Sequence, residues 1–362
     1  MPGVHSGWGS VAVLAALACA ACTAAGDREA APVSQGTVLS RSTAAPPGSD
    51  STPQSATHAP ESPSPSSVSP PVSTAPSEPI STQTSPPETN PPTTSQRASF
   101  RPAAAMRTIR FLAGQIGPRE ASSTEFRRAA RWVKHRFATL GYDVRRNPVP
   151  VPAGNSWGID VPAGTTFNVV AVPAGFDRTQ PHVIVGAHLD TVPQAPGAED
   201  NASGVAAVLE LARMAAAHDT RLPVMFVAFG GEEPRGEGDD LHHFGSTAMV
   251  DRMPASQRQA MTAMVSLDRV GVGDVVPVCS GGLEPPTVRG ALLRAAGRAE
   301  IAAQACESQT SDHWSFDKAG LPAARVGGTE YAEYHSAADL PAVVDPAQLD
   351  RVGRLVWDWV SA

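Results

Sequence analysis

The chain has 362 residues, enough for two average domains, yet 16 of its 35 prolines fall in the first 100, so the folded part is shorter than the chain. The net charge is −7, from 28 basic and 35 acidic side chains, and residues 101–362 carry −4 of it. With no Lys/Arg run, this balance argues against nucleic acid or anionic lipid as the main partner, because such binding needs clustered cations. No stretch of 18 apolar residues follows the N-terminus, which excludes an internal transmembrane helix.

In chain order, residues 11–21 form an apolar run of signal-peptide length followed by small residues, so residues 1–22 read as an export signal. Cys19 and Cys22 stand where a sequence resembling a bacterial lipoprotein signal carries its acylated cysteine; the other reading is that both are discarded on cleavage. Residues 51–100 contain 12 Pro and 21 Ser or Thr and no Trp, Tyr or Leu. Such a composition cannot bury enough apolar surface to offset the entropy of ordering, so residues 23–99 read as a disordered linker, bare or O-glycosylated. Residues 100–362 remain as one globular domain.

Ser122 and Glu125 have capping-box spacing, and Phe126, Ala130, Val133, Phe137 and Leu140 then recur on one helical face until Gly141. Short Val-rich runs at 167–172, 183–187, 224–229 and 264–267 read as buried strands, and 203–217 as a helix with Val205, Val208, Leu209 and Ala212 on its apolar side. Strands alternating with helices predict an α/β fold, a mostly parallel mixed sheet with helices on both faces.

In such sheets ligands bind beyond the carboxyl ends of the strands, and the polar residues fall there. His188 and Asp190 follow the second run, Glu232 and Glu233 the third, and Asp268 the fourth, while Asp200 opens the intervening helix. With Tyr334-His335 near the C-terminus, the chain offers two imidazoles and several carboxylates in order, a ligand set suited to one or two zinc-like ions. Two such ions can share a water and lower its pKa toward neutrality. The neighbours Glu232 and Glu233 leave an extended backbone on opposite sides, so one can ligate while the other handles a proton. Of the remaining histidines, His182, His218, His242, His243 and His313 read as solvated or structural. Residues 234–244 read either as a rim loop or as a solvated stretch.

The blocks 185–190, 197–204, 229–233, 266–268 and 334–339, agreeing in order and spacing, resemble the zinc aminopeptidases of the M28 peptidase type over roughly residues 103–360. The resemblance implies a zinc-exopeptidase-like fold, peptide substrates and two zinc ions or other divalent metals. It implies His188 and Asp268 on one ion, Glu233 and His335 on the other, and Asp200 bridging both. Glu232 then corresponds to the general base acting on a metal-bridged water, Tyr334 to the residue steadying the oxyanion, Asp190 to the carboxylate orienting His188, and Asp312 to an outer support. A cis peptide at Asp200-Asn201 is also implied. A neighbouring peptidase type shares the His-x-Asp-x-Val-Pro pattern of residues 188–193, but the 67 positions between Asp268 and His335 leave no room for its inserted domain.

Two other functions stay open at this point. One is a glutaminyl-cyclase-like aminoacyltransferase with a single zinc; the other is a non-catalytic binding module on the same fold. The resemblance and the leader together predict an exported protein, extracellular or attached to the cell envelope, touching a membrane only through an N-terminal lipid. Cys279 and Cys306 form an even pair in a compartment that permits disulfides, and the sequence leaves open whether they join.

Overall fold

The computed structural model describes residues 99–362. The export signal, Cys19, Cys22 and the linker as far as residue 98 lie outside the described residues. Phe100, at the expected start of the domain, is buried and packs at Gly353.

The described residues form ten strands: β1 (Asp143–Val151), β2 (Gly154–Ser156), β3 (Ile159–Val161), β4 (Gly164–Val172), β5 (His182–His188), β6 (Val224–Phe229), β7 (Met261–Leu267), β8 (Val276–Ser280), β9 (Ala303–Glu307) and β10 (Ala323–Val326). Eight of them make one sheet in the order β1-β4-β6-β5-β7-β10-β8-β9, and β2 pairs with β3 in a separate hairpin. The pairs β5·β6, β5·β7, β7·β10 and β8·β9 are parallel; β1·β4, β4·β6 and β8·β10 are antiparallel. All four strands expected from the Val-rich runs are present, lengthened by up to three residues at their starts.

Alternation along the strands assigns the core to two layers. Val183, Val185 and Ala187 point to one face, with Phe226, Ala228, Val265 and Leu267. Over that face lie α1 (Pro102–Ile109), α2 (Thr124–Thr139), α3 (Gly204–Ala217), α6 (Thr287–Arg298) and α8 (Pro346–Ser361). Ile184, Met225, Val227 and Met264 point the other way, toward α4 (Phe244–Asp251) and α7 (His313–Lys318). A short α5 (Ala255–Ala260) leads into β7. No helix of the described residues is long and apolar enough to cross a membrane.

Two local expectations are corrected. The cap of α2 is Ser123, whose hydroxyl accepts from the Phe126 N–H at 2.9 Å, while Ser122 is engaged by the Glu120 carboxylate at 2.7 Å. The helix therefore starts one residue later than the Ser122–Glu125 spacing implies, and it ends where Gly141 takes the left-handed turn, at φ 89°. α3 is buried well beyond one apolar stripe, because α1 and α8 cover the side that the sheet does not. Its one buried acid, Glu210, is paired with Arg101 and Arg213, each at 2.7 Å.

Cys279 on β8 and Cys306 on β9 lie opposite one another in register and are joined by a disulfide, with Cα atoms 4.3 Å apart.

Candidate metal centre

The sheet brings three strand ends together. β5, β6 and β7 run parallel side by side, so His188, the Gly230–Glu233 turn and Asp268 emerge at one edge. Gly230 allows the close approach there, since a Cβ would strike Thr166 and Phe126, and Gly231 adopts φ 76°. The loop carrying Asp200 is moored from below: Asn201 Nδ2 donates to the Leu267 carbonyl at 2.9 Å, and the Asn201 amide oxygen accepts from Gly204 N–H at 2.9 Å. From above, Asp339 accepts from the N–H groups of Glu199 at 2.8 Å and Asp200 at 3.1 Å. The Asp200-Asn201 peptide is cis, as the resemblance implied.

All five expected ligands meet. The ligand atoms of His188, Asp200 and Asp268 lie within 4.8 Å of one another, and so do those of Asp200, Glu233 and His335. Asp200 belongs to both sets: its Oδ1 is 3.0 Å from His188 Nε2 and its Oδ2 is 3.2 Å from His335 Nε2. His188 Nε2 is also 3.7 Å from Asp268 Oδ1, and His335 Nε2 is 3.2 Å from Glu233 Oε2. Asp268 Oδ1, Glu233 Oε1 and His335 Nε2 are buried without a hydrogen-bond partner among the described residues. Such atoms are costly unless a cation joins them, and the donors are the imidazoles and carboxylates that zinc-like ions take, so the residues fit divalent metal of that type.

The electrostatics agree. Burial alone would raise the Asp200 carboxyl, yet the two imidazoles hold it well below the usual carboxylate range. Asp268 is opposed by burial and held down to about 2 by Arg325, whose Nη2 is 3.1 Å from Asp268 Oδ2. Burial pushes Glu232 and Glu233 alike up to about 8, each drawn back by the nearer imidazole, His188 or His335. Glu232 Oε2 is 3.8 Å from His188 Nε2, and its Oε1 is 3.3 Å from His243 Nε2.

Asp190 does more than the expected orienting of His188. Its carboxylate accepts from the N–H groups of Gly231 at 2.8 Å, Glu232 at 3.1 Å and Glu233 at 3.1 Å. It thereby holds the glutamate pair, while His188 Nδ1 faces the Asp190 carbonyl at 3.2 Å and the carboxylate at 4.0 Å. Asp312 is fully buried before α7, and burial followed by the charge of Glu232 pushes its carboxyl up to about 7. Tyr334 stacks on the His335 ring at 3.7 Å.

Other residues of the centre were not singled out in the sequence. His243, read there as solvated or structural, is buried against Glu232, because residues 234–244 fold back as the rim of a cleft of about 530 Å³. Trp157, at the tip of the β2–β3 hairpin, lies edge-on to His335 at 4.5 Å. Arg119 is fully buried and donates to the carbonyls of Leu112, Gly117, Leu189, Pro196 and Gly197, clamping the segment between His188 and Asp200. No local pattern marks any of the three. His182 and His313 are indeed structural, each with a ring nitrogen on a backbone carbonyl at 2.8 Å.

The family model described as Peptidase family M28 matches residues 168–360. The chain is 31% identical over 194 residues to the uncharacterized protein YfbL of Escherichia coli, covering 51% of this chain and 54% of that protein. It is 28% identical over 207 residues to Aminopeptidase YwaD of Bacillus subtilis, covering 53% and 43%, and 30% identical over 180 residues to the Probable lipoprotein aminopeptidase LpqL of Mycobacterium tuberculosis, covering 44% and 34%. The chain thus spans about half the length, or less, of these curated relatives. Among solved structures, BSAP, a zinc aminopeptidase from Bacillus subtilis, superposes with a TM-score of 0.65 at 18% identity, over 73% of this chain and 95% of that one. The glutaminyl cyclase of Porphyromonas gingivalis does so with a TM-score of 0.62 at 21% identity, over 72% and 97%. Likeness at that level establishes the shared fold and does not choose between the two chemistries.

Proposed function

The chain belongs to peptidase family M28, and from that premise we propose that it is a dinuclear zinc aminopeptidase, hydrolysing the N-terminal peptide bond of peptides. The observation that carries the reading is the division of Asp200, one oxygen toward His188 and the other toward His335. A carboxylate divided between two imidazoles, each beside a further carboxylate, suits a ligand shared between two ions. His188 and Asp268 would hold one ion, Glu233 and His335 the other, with Asp200 available to both. Bound there, two divalent ions supply Lewis acidity toward the scissile carbonyl and acidify water.

The protein's own side chains do the rest. Glu232, free of the ligand sets that share Asp200, accepts the proton of the attacking water and returns it to the departing amine. The Tyr334 hydroxyl donates to the developing oxyanion. Asp190 holds both glutamates through three N–H groups, which keeps one as ligand and the other as base. Arg119 and Asp339 keep the Asp200 loop from relaxing away from the strand ends.

A panel of aminoacyl chromogenic amides assayed with and without chelator, beside a count of bound zinc, tests the reading. We expect chelator-sensitive hydrolysis and about two equivalents of zinc. One equivalent with cyclisation of N-terminal glutamine would favour the cyclase reading, and less than one with no turnover the binding module.

Residues 1–22 serve as the export signal and residues 23–99 as the tether of the peptidase domain, with Cys19 or Cys22 as the lipid-bearing residue. The similarity to LpqL supports an envelope location. Replacing both cysteines by Ala moves the protein from the membrane fraction to the medium, and deleting residues 27–97 leaves activity and thermal midpoint nearly unchanged.

A further inference from the structure

Beside the metal centre lies a second cavity, of about 740 Å³, and Tyr334 and Thr310 line both this cavity and the cleft at Glu232 and Glu233. The two spaces differ in charge. The cleft is lined by Glu232, Glu233 and Asp239, whereas the second cavity contains two guanidinium groups, Arg269 and Arg325.

The two arginines are used differently. Arg325 is buried and committed: it pairs with Asp268 at 3.1 Å and donates to Thr310 Oγ1 at 2.8 Å. Arg269 is half-buried, and its guanidinium makes no hydrogen bond and no ion pair among the described residues, lying instead over the Tyr334 ring with Cζ 4.5 Å from the centroid. Two carboxylates also line the cavity, but Glu307 sits 3.9 Å from Arg289 and Glu330 is exposed and forms no ion pair among the described residues. The backbone of Arg269 is left-handed, φ 55°, which an arginine adopts at a cost of about 1 kcal/mol relative to glycine. Directly after Asp268, that turn lifts the side chain away from the line of β7 and over Tyr334.

A guanidinium stacked on an aromatic face keeps its N–H edge available, and the partner it takes best is a planar carboxylate. A short peptide has an ammonium group at one end and a carboxylate at the other, matching a cleft lined by three acids and a cavity that offers the Arg269 guanidinium, the two meeting at Tyr334. We propose that Arg269 binds a substrate carboxylate on the leaving-group side of the scissile bond, so that the enzyme selects peptides carrying one there. This inference rests on the aminopeptidase reading. Two sources present the same chemistry: the free C-terminus of a dipeptide, and an Asp or Glu side chain at the second position.

The test compares kcat/KM for Leu-Gly, Leu-Gly-amide and Leu-Asp-amide in the wild-type enzyme and in Arg269→Gln and Arg269→Lys. Each ratio within one enzyme divides out any general change in turnover. In the wild type, Leu-Gly should exceed its amide by roughly 10- to 100-fold, the worth of a charge-assisted hydrogen bond, and Arg269→Gln should bring that ratio close to one, with Arg269→Lys between. If Leu-Asp-amide also exceeds Leu-Gly-amide and loses that advantage in Arg269→Gln, the side-chain carboxylate is a source too; if it does not, the source is the peptide C-terminus alone. Equal ratios in wild type and Arg269→Gln would overturn the assignment of Arg269 and leave the aminopeptidase standing. No hydrolysis of any of the three, nor of the chromogenic amides, overturns both.

Discussion

His188 and Asp268 stand at the ends of β5 and β7, neighbouring parallel strands, whereas Glu233 and His335 reach the same Asp200 from loops. The first pair is braced by the sheet: Asp268 N–H donates to the Val326 carbonyl at 3.1 Å, and Arg325 grips its outer oxygen. Of the second pair, Glu233 is held through its N–H by the buried Asp190 carboxylate, whereas His335 is braced by side chains at the surface. His335 has a left-handed backbone, φ 53°, and its ring lies between Tyr334, 37% exposed, and Trp157, 55% exposed. His188 and Asp268 are therefore tied into the sheet, and His335 depends on a rim of two aromatic residues that water can reach.

The largest effects should come from the glutamate pair at the junction. Glu232→Gln keeps shape and removes the proton acceptor, so turnover should fall roughly 10² to 10⁴ or more while zinc stays near two equivalents. Glu233→Gln instead removes a ligand charge from the rim half, so one equivalent should be lost and excess zinc should restore part of the activity. Reversed outcomes would exchange the two roles; activity retained in both would end the two-metal mechanism.

Stability separates the halves next. In chelator-treated protein, Asp268→Asn leaves the buried Arg325 charge uncompensated, at a cost of about 3–5 kcal/mol. For a domain of this size, that lowers the thermal midpoint by roughly 10 °C. Glu233→Gln, which leaves the His335 imidazole still paired with Asp200 at 3.2 Å, should lower it by far less. Equal drops would mean that the strand-end half is no more tightly built than the rim.

A pH dependence belongs to the strand-end half as well. His313, at the start of α7, is held down to about 3, first by burial and then by the positive charge of Arg325. The unfolded chain takes up this proton below about 6.5 and the folded one does not, so stability present above 6.5 is lost as pH falls toward 3. Between pH 6.5 and 5 the loss amounts to about 2 kcal/mol. His313→Gln should flatten the curve of thermal midpoint against pH over that window; an unchanged slope would assign the acid sensitivity to other groups.

The smallest effect is expected at the rim. Trp157→Ala removes the edge contact with His335, and zinc affinity of the Glu233/His335 half should weaken by roughly tenfold or less, with the midpoint nearly constant. Titration calorimetry that finds both ions weakened alike would contradict an independent rim.

Much of the strand-end half could be read in the sequence. The run 224–229 is β6 without a change of boundary, and His188 and Asp268 follow or close Val-rich runs whose neighbours are all buried, so composition and length were sufficient. The far side of the sheet was not legible. β1 carries Pro148 and Pro150, tolerated because it is an edge strand; β10 has four residues with Arg325 among them, and β9 is an edge strand with no fully buried residue. Arg119, Arg325 and His243 resemble surface residues in the sequence and are buried in the fold, because the partners that make burial tolerable come from other segments, 11 residues away for His243 and 57 to 70 for the arginines.

The sequence by itself determined the kinds of side chain present, their order, and their places at strand ends, since propensity and periodicity act over a few neighbouring residues. Only the tertiary structure decided which oxygen of Asp200 faces which imidazole, that Asp190 grips three N–H groups of the glutamate turn, that Cys279 reaches Cys306, and that Arg325 is spent on Asp268 while Arg269 lies over Tyr334, unpaired among the described residues. Those are matters of distance and direction through space, and charge and hydrogen-bond energies depend on both, whatever the separation along the chain.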